Sequence, residues 1–318
     1  SPLQLLGSQN DMATIRLMRY RHFQELLELV NTKTDRKTVA LVRAEDPHAL
    51  EAVAEVTREG LVTPLLIGNR EAIHQTAEQI SFAITDDQIL DAEDPESAAS
   101  LGVQTVREGR ADFLMKGKLE TSQMLRPVVN KATGLGLGGV MSHVAVNEIP
   151  AYHKLLLTTD GGMLPYPTLE QKKSIIENAV KVMRKLGCDM PKVCVLAASE
   201  TPNPKMPESM EALALKEMNQ KGEIGDCIVE GPISFDLAMV KERAVVKNYQ
   251  SPCAGDADIL LVPNIHAGNI LGKSLTEMAH AKMAGLIVGA KCPIVLTSRG
   301  SSAEEKFNSL MLACIVSG

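Results

Sequence analysis

The stretch "IVLTSRGSSAEEKF" (294–307) sets an apolar, β-branched run against a hydroxyl and a guanidinium, and then against the opening of a helix. Ile294, Val295 and Leu296 read as a buried strand. Gly300, Ser301 and Ser302 read as a turn, and Glu304 and Glu305 stand where negative charge favours a first helical turn. Further on, Phe307, Leu310, Met311, Cys314 and Ile315 fall at i, i+3, i+4, i+7 and i+8, one apolar stripe of a helix. Strand, polar turn and helix make the repeating unit of an α/β sheet. Ligands of such sheets bind beyond the carboxyl ends of strands. A helix N-terminus there attracts anions. Ser298 and Arg299 occupy that position.

The same unit recurs along the chain. "TVALVRA" (38–44) is a strand, after which Asp46 caps a helix with Pro47 in its first turn and Gly60 at its end. "TPLLIG" (63–68) is the next strand. Asp94-Pro95 opens a helix that Gly109 closes. "ADFLMKG" (111–117) is a short strand before a helix from about Thr121 to Lys131. The segment 134–162 carries two apolar runs without helical period and reads as extended or antiparallel structure, with Pro150 at a turn. Thr168 and Gln171 form a capping box for a long helix ending at Gly187. Strands follow near 192–198, 226–230 and 258–263, and a glycine-bearing segment (267–274) leads into a helix. "GLIVGA" (285–290) and "CPIVLTS" (292–298) are two more strands. The fold class is α/β: mostly parallel sheets with helices on both faces, doubly wound, and too much chain for one sheet.

Composition narrows the function. The chain has 318 residues and a formal net charge of −6, which disfavours a general nucleic-acid or anionic-membrane surface. Aromatic residues are 3% and Trp is absent, against base-stacking platforms. Six cysteines without C-x-x-C spacing read as buried thiols of a cytoplasmic protein, and no Cys/His cluster has metal spacing. No apolar run reaches the length of a membrane span. Ser1–Asp11 has neither a basic nor an apolar signal region and reads as a vector-derived scar.

Each motif admits a plain reading beside a functional one. "AGNILGKSL" (267–275) follows the strand "DILLVP" and nearly matches a P-loop, but Ala267 stands where the first glycine belongs. Lys273 is a phosphate contact in one reading and a solvated helix lysine in the other. Around "MKGKLETSQMLRP" (115–127), Lys116, Lys118, Thr121 and Arg126 are either ordinary solvation or donors to an anion. Asp160 in "TTDGGM" is a turn aspartate or a substrate contact. Ser302/Glu305 and Ser301/Glu304 are equivalent capping pairs, so Glu305 is a cap in one and free in the other. Asp256 and Asp258 are one acidic pair of the kind that a dehydrogenase gathering carboxylates on Mg²⁺ would need, or an ordinary loop pair.

Taken in order, "ADFLMKGKLETSQMLRPVV", "MSHVAV", "YHKLLLTTDGGM", "VEGPISFDLAM", "ADILLVPNIHAGNILGKSL" and "VGAKCPIVLTSRGSSAEEKF" resemble the phosphate acetyl/butyryl transferase family, from about Thr38 to the C-terminus. The resemblance implies two α/β domains like those of the isocitrate and isopropylmalate dehydrogenases, with an inter-domain cleft. Domain I is 12–139 plus 298–318, and domain II, 140–297, is inserted into it. It implies the reaction acyl-CoA + phosphate to acyl phosphate + CoA, by direct thiolate attack and without an acyl-enzyme. Coenzyme A is then a substrate, no cofactor or metal is bound permanently, and the enzyme is a homodimer or larger homo-oligomer. On the family's motifs, Ser298, Arg299 and Glu305 fall on catalytic positions. Thr121, Arg126, Lys116, Lys273, Asn269 and Asp160 fall on phosphate or substrate positions. Met124 replaces a hydroxyl of the acetyl enzymes, which leaves one phosphate contact open and points to a more apolar acyl site; the overall likeness favours butyryl, with acetyl or propionyl as the alternative. A P-loop-like nucleoside triphosphatase and a non-catalytic CoA-ester-binding protein are the readings from other classes.

Overall fold

A computed structural model describes residues 15–32 and 35–318 of the chain. The expected scar, Ser1–Asp11, lies outside the described residues. The chain divides into two compact units. One runs to His22 and resumes over Val140–Met283, and the other is Phe23–Gly139 with Ala284–Gly318. The expected limits were 12–139 with 298–318 and 140–297. The division differs at 284–297, because Ile294 and Val295 pair in parallel with Leu114 and Met115 inside the sheet of the second unit, and at 15–22, where Arg16 pairs with Asp189 and the Tyr20 carbonyl accepts from the Leu155 amide.

That second unit carries β1 (Lys37–Val42), β2 (Val62–Gly68), β3 (Ile89–Asp91), β4 (Phe113–Lys116), β11 (Ile294–Val295) and most of β10 (Lys282–Val288). Their order is β3-β2-β1-β4-β11-β10. All neighbours are parallel except β10 and β11. Val39–Val42 are wholly buried, the signature of a central strand covered on both faces. Its helices are α1 (Phe23–Asn31), α2 (Pro47–Arg58), α3 (Arg70–Gln79), α4 (Pro95–Arg107), α5 (Thr121–Val129) and α11 (Ala303–Val316). The Asp46 carboxylate accepts from the His48 and Ala49 amides to start α2, and Asp94 accepts from Ser97 to start α4. Gly60 and Gly109 end these helices at positive φ, 75° each, where a Cβ is strained. One correction concerns α11. Leu310–Ile315 are buried without interruption, so this helix packs all round, against α1 and α2 among others, rather than along one stripe.

The other unit holds β5 (Ser142–Glu148), β6 (Leu156–Thr159), β7 (Lys192–Leu196), β8 (Ile228–Ile233) and β9 (Ile259–Leu261), in the order β5-β6-β9-β7-β8. Its helices are α6 (Leu169–Lys185), α7 (Pro207–Gln220), α8 (Phe235–Met239), α9 (Lys241–Val246) and α10 (Ile265–Glu277). β5 and β6 are antiparallel, as the two unperiodic runs predict, and the remaining pairs are parallel. The capping box of Thr168 and Gln171 opens α6. Leu156, Cys194, Leu260, Ile233 and Leu237 lie in its core. Among the described residues no helix is long and apolar enough to cross a membrane.

Candidate active site

In the second unit the chain winds from β1 outward to β2 and β3, then returns to place β4 and β11 on the other side of β1. The point where the winding reverses, between β1 and β4, leaves a crevice beyond the carboxyl ends of the strands. A cavity of about 640 Å³ occupies it, lined by Arg43, Lys116, Lys118, Ser298, Arg299 and Lys306 among others. Five lysine and arginine side chains therefore face two carboxylates, Asp46 and Glu120. Asp46 already accepts two amides of α2, so the wall is cationic in a chain of net negative charge.

Each strand end delivers its residues by a turn. After β1, Arg43 takes a left-handed backbone at φ 57°, uncommon for a bulky side chain. Its Nε lies 3.3 Å from Glu45 Oε2, an ion pair lacking hydrogen-bond alignment. After β4, the Gly117 amide donates to the Val42 carbonyl and the Lys118 amide to the Arg43 carbonyl, both at 2.8 Å. These bonds tie the two strand ends together. The Lys116 ammonium donates to the Leu119 carbonyl at 3.0 Å, which holds it in the loop. After β11, Ser298 and Ser301 form a hydroxyl turn: the Ser298 amide donates to Ser301 Oγ at 3.1 Å, and the Ser301 amide to the Ser298 carbonyl at 3.1 Å. Arg299 is exposed beyond it.

The helix start after this turn resolves the two capping pairs. Ser302 is the cap, its Oγ accepting from the Glu305 amide at 3.0 Å. The reciprocal bond from the Glu305 carboxylate is not made, and that carboxylate has no hydrogen bond or ion pair among the described residues. The side chain is half-buried.

Of the predicted site residues, Lys116, Ser298 and Arg299 line this cavity. Thr121, Arg126 and Glu305 lie on α5 and α11, the helices that begin at its rim, and do not line it. Thr121 and Arg126 are exposed, and Met124 between them is fully buried, so its side chain packs the core and not the cavity wall. Asp160, Asn269 and Lys273 belong to the other unit. Asp160 is buried and accepts from the amides of Gly162, Met163 and Leu164, so its oxygens are engaged by its own turn. Asn269 and Lys273 are exposed on α10.

The segment 267–274 does not lead into a helix but lies within α10, capped by Asn264. Its amides are therefore used inside the helix, which leaves no phosphate-cradling loop and removes the P-loop reading. Gly268 is there for packing: a Cβ on it would stand 2.7 Å from the Cα of Gly161. Asp256 is bound by Lys154, Lys192 and His153, and Asp258 by Lys154, so the D-x-D pair serves ion pairing. Sequence reasoning missed Arg43, Gly117 and Lys306. Arg43 follows a strand end just as Arg299 does, and Lys306 stands four residues before Leu310 on a buried helix face, an odd place for a lysine.

The phosphate acetyl/butaryl transferase family matches residues 23–101 and 93–314. The phosphate acetyltransferase of Thermotoga maritima is 44% identical over 92% of this chain and 98% of its own length. The phosphate butyryltransferase of Clostridium acetobutylicum is 40% identical over 94% of this chain and 99% of its own. Among solved structures, a branched-chain phosphotransacylase from Enterococcus faecalis superposes with a TM-score of 0.77 at 36% identity, covering 88% of this chain and 98% of that one. The fold is that of an α/β enzyme, and the cationic crevice is chemically suited to an anion. The chain belongs to the phosphate acetyl/butyryl transferase family, and its enzyme class is acyltransferase.

Proposed function

We propose that this chain interconverts acyl-CoA plus phosphate with acyl phosphate plus CoA, with a short acyl group and butyryl favoured. The observation that carries the proposal is the cavity beyond β1, β4 and β11. There Ser298 and Arg299 share a wall with Lys116 and three other cations. Both substrates carry phosphoryl groups, and Arg offers them a planar fork while Lys offers a point charge. The butyryl preference draws on the likeness to butyryltransferases and takes no support from the buried Met124.

Toward acyl-CoA, the CoA sulfur attacks the acyl carbonyl carbon and the bond from that carbon to the phosphoryl oxygen breaks. Phosphate leaves with the electron pair. Glu305 takes the thiol proton, a role supported by its free carboxylate. Between a free thiol and a free carboxylate that transfer is uphill by roughly 5–6 kcal/mol. A neighbouring cation that favours the thiolate offsets part of this, the role given to Arg299. Ser298 Oγ–H donates to the developing oxyanion. Thr121 and Arg126 on α5, and Asn269, Lys273 and Asp160 in the other unit, are assigned to substrate binding on the family motifs.

The test is release of free thiol from acetyl-, propionyl- and butyryl-CoA in the presence of phosphate. Arg299→Gln should lower the rate by two or more orders of magnitude with an unchanged melting temperature. A near-normal rate removes Arg299 from the chemistry. Binding of CoA esters by the wild type without turnover would instead make the chain a binding protein.

A further inference from the structure

We propose that Lys306, together with Arg43, binds a phosphoryl oxyanion at the inner wall of the crevice. The inference rests on the acyltransferase reading and adds two residues that the family motifs did not supply. Lys306 is 7% exposed, yet its ammonium makes no hydrogen bond or ion pair among the described residues. The stem is buried while the ammonium itself opens on the cavity, where an arriving oxyanion would find a charged donor not yet engaged by the protein. Lys306 lines the cavity from the first turn of α11, one residue after Glu305, where the helix N-terminus also favours negative charge.

Arg43 reaches the same cavity from β1. Its Nε end is anchored by Glu45, and Glu45 is itself wedged in place: a Cβ built on Gly68 would lie 1.8 Å from its Oε1. The terminal N–H groups of Arg43 make no hydrogen bond among the described residues, although the Asp94 carboxylate feels their charge. The other charged groups of the wall are committed differently. Lys116 donates to loop carbonyls, and Asp46 accepts from α2 amides. Lys118 and Arg299 are exposed. Lys306 and Arg43 are thus the shielded cations with donors to spare, which suits a tetrahedral oxyanion with several acceptor oxygens. The plain alternative is that the Lys306 stem merely packs and its head reaches cavity water.

Two sources share this chemistry, the reacting phosphate and the phosphates of coenzyme A. Lys306→Met keeps the stem and removes the charge, and Lys306→Arg keeps a cation. In Lys306→Met we expect the dissociation constant of inorganic phosphate, read by calorimetry without CoA, and its KM to rise about tenfold or more. Lys306→Arg should restore most of the affinity. If instead the KM of acyl-CoA rises, the oxyanion is the nucleotide's: its 3′-phosphate where the KM of the acyl thioester of dephospho-CoA does not rise, its diphosphate where it does. Either pattern supports the proposal. Unchanged phosphate affinity and unchanged KM values in a folded Lys306→Met would overturn it. Arg43→Gln repeats the test should Lys306→Met not fold. A wild type that binds phosphate but never releases thiol would sink the acyltransferase reading while leaving this measurement readable.

Discussion

Gly117→Ala is a sharp test of how the crevice is held open. Gly117 follows β4, is buried, and lies between two cavity lysines. A Cβ built there stands 2.1 Å from the Arg43 carbonyl oxygen and 2.6 Å from that of Val42. Ordinary contact begins near 3.4 Å, so the ends of β1 and β4 must part by about 1.3 Å. Both obstacles are backbone, and neither can rotate away as a side chain would. The amide bonds from Gly117 to Val42 and from Lys118 to Arg43, now 2.8 Å, would stretch with that movement. Overpacking of this kind costs about 1–3 kcal/mol, or roughly 2–10 °C of melting temperature for a unit of this size. The same shift displaces Arg43 and Lys116 by a distance that can cost about a hundredfold in rate. Thiol release and thermal melting read both effects. Gly225→Ala is the control, since a Cβ there meets nothing within 4 Å. Wild-type turnover and melting in Gly117→Ala would refute the claim that backbone contact at this glycine sets the crevice.

Other expectations follow from single contacts. Glu305→Gln should leave stability within about 0.5 kcal/mol, because Ser302 does the capping through the Glu305 amide, while turnover falls; a melting loss with intact turnover would reverse the assignment. All six cysteines are buried, and burial pushes the thiols of Cys188, Cys227 and Cys292 up to about 12. A chromogenic disulfide should therefore find no fast thiols in the native protein and six after denaturation, leaving a clean background for CoA release. Burial raises the Asp256 carboxyl, but hydrogen bonds from Lys154, Lys192 and His153 outweigh it and hold the group well below the carboxylate range. A carboxylate depressed in this way adds stability above about pH 3.9, its unfolded value, and loses it as pH falls further. Acid melting of Asp256→Asn should accordingly be flatter than that of the wild type below about pH 4, and parallel curves would refute it.

The elements themselves were legible because their signals are local. Asp46 with Pro47, Asp94 with Pro95, and Thr168 with Gln171 mark helix starts that the structure reproduces, since capping involves residues at most three apart. The two unperiodic runs before Asp160 gave the antiparallel pair β5 and β6. Local signals misled where a pattern has two physical uses. A glycine-rich stretch can cradle phosphate or let two backbones touch, and at Gly268 and Gly161 it does the latter. The boundary placed at 297 failed to see that a two-residue strand, β11, belongs with β4, because pairing between residues 180 apart leaves no trace in either segment.

By itself, then, the chain determined its α/β alternation, its family and the placing of a hydroxyl and a guanidinium at a strand end. All of these are written in contiguous residues. The tertiary structure alone decided that Arg43, Lys116, Arg299 and Lys306 share one cavity wall. It also decided that Ser302 rather than Ser301 caps α11 and that Met124 packs inward. The physical reason is that charge convergence and burial are properties of strand order. The reversal of winding between β1 and β4 brings together side chains that the sequence keeps far apart.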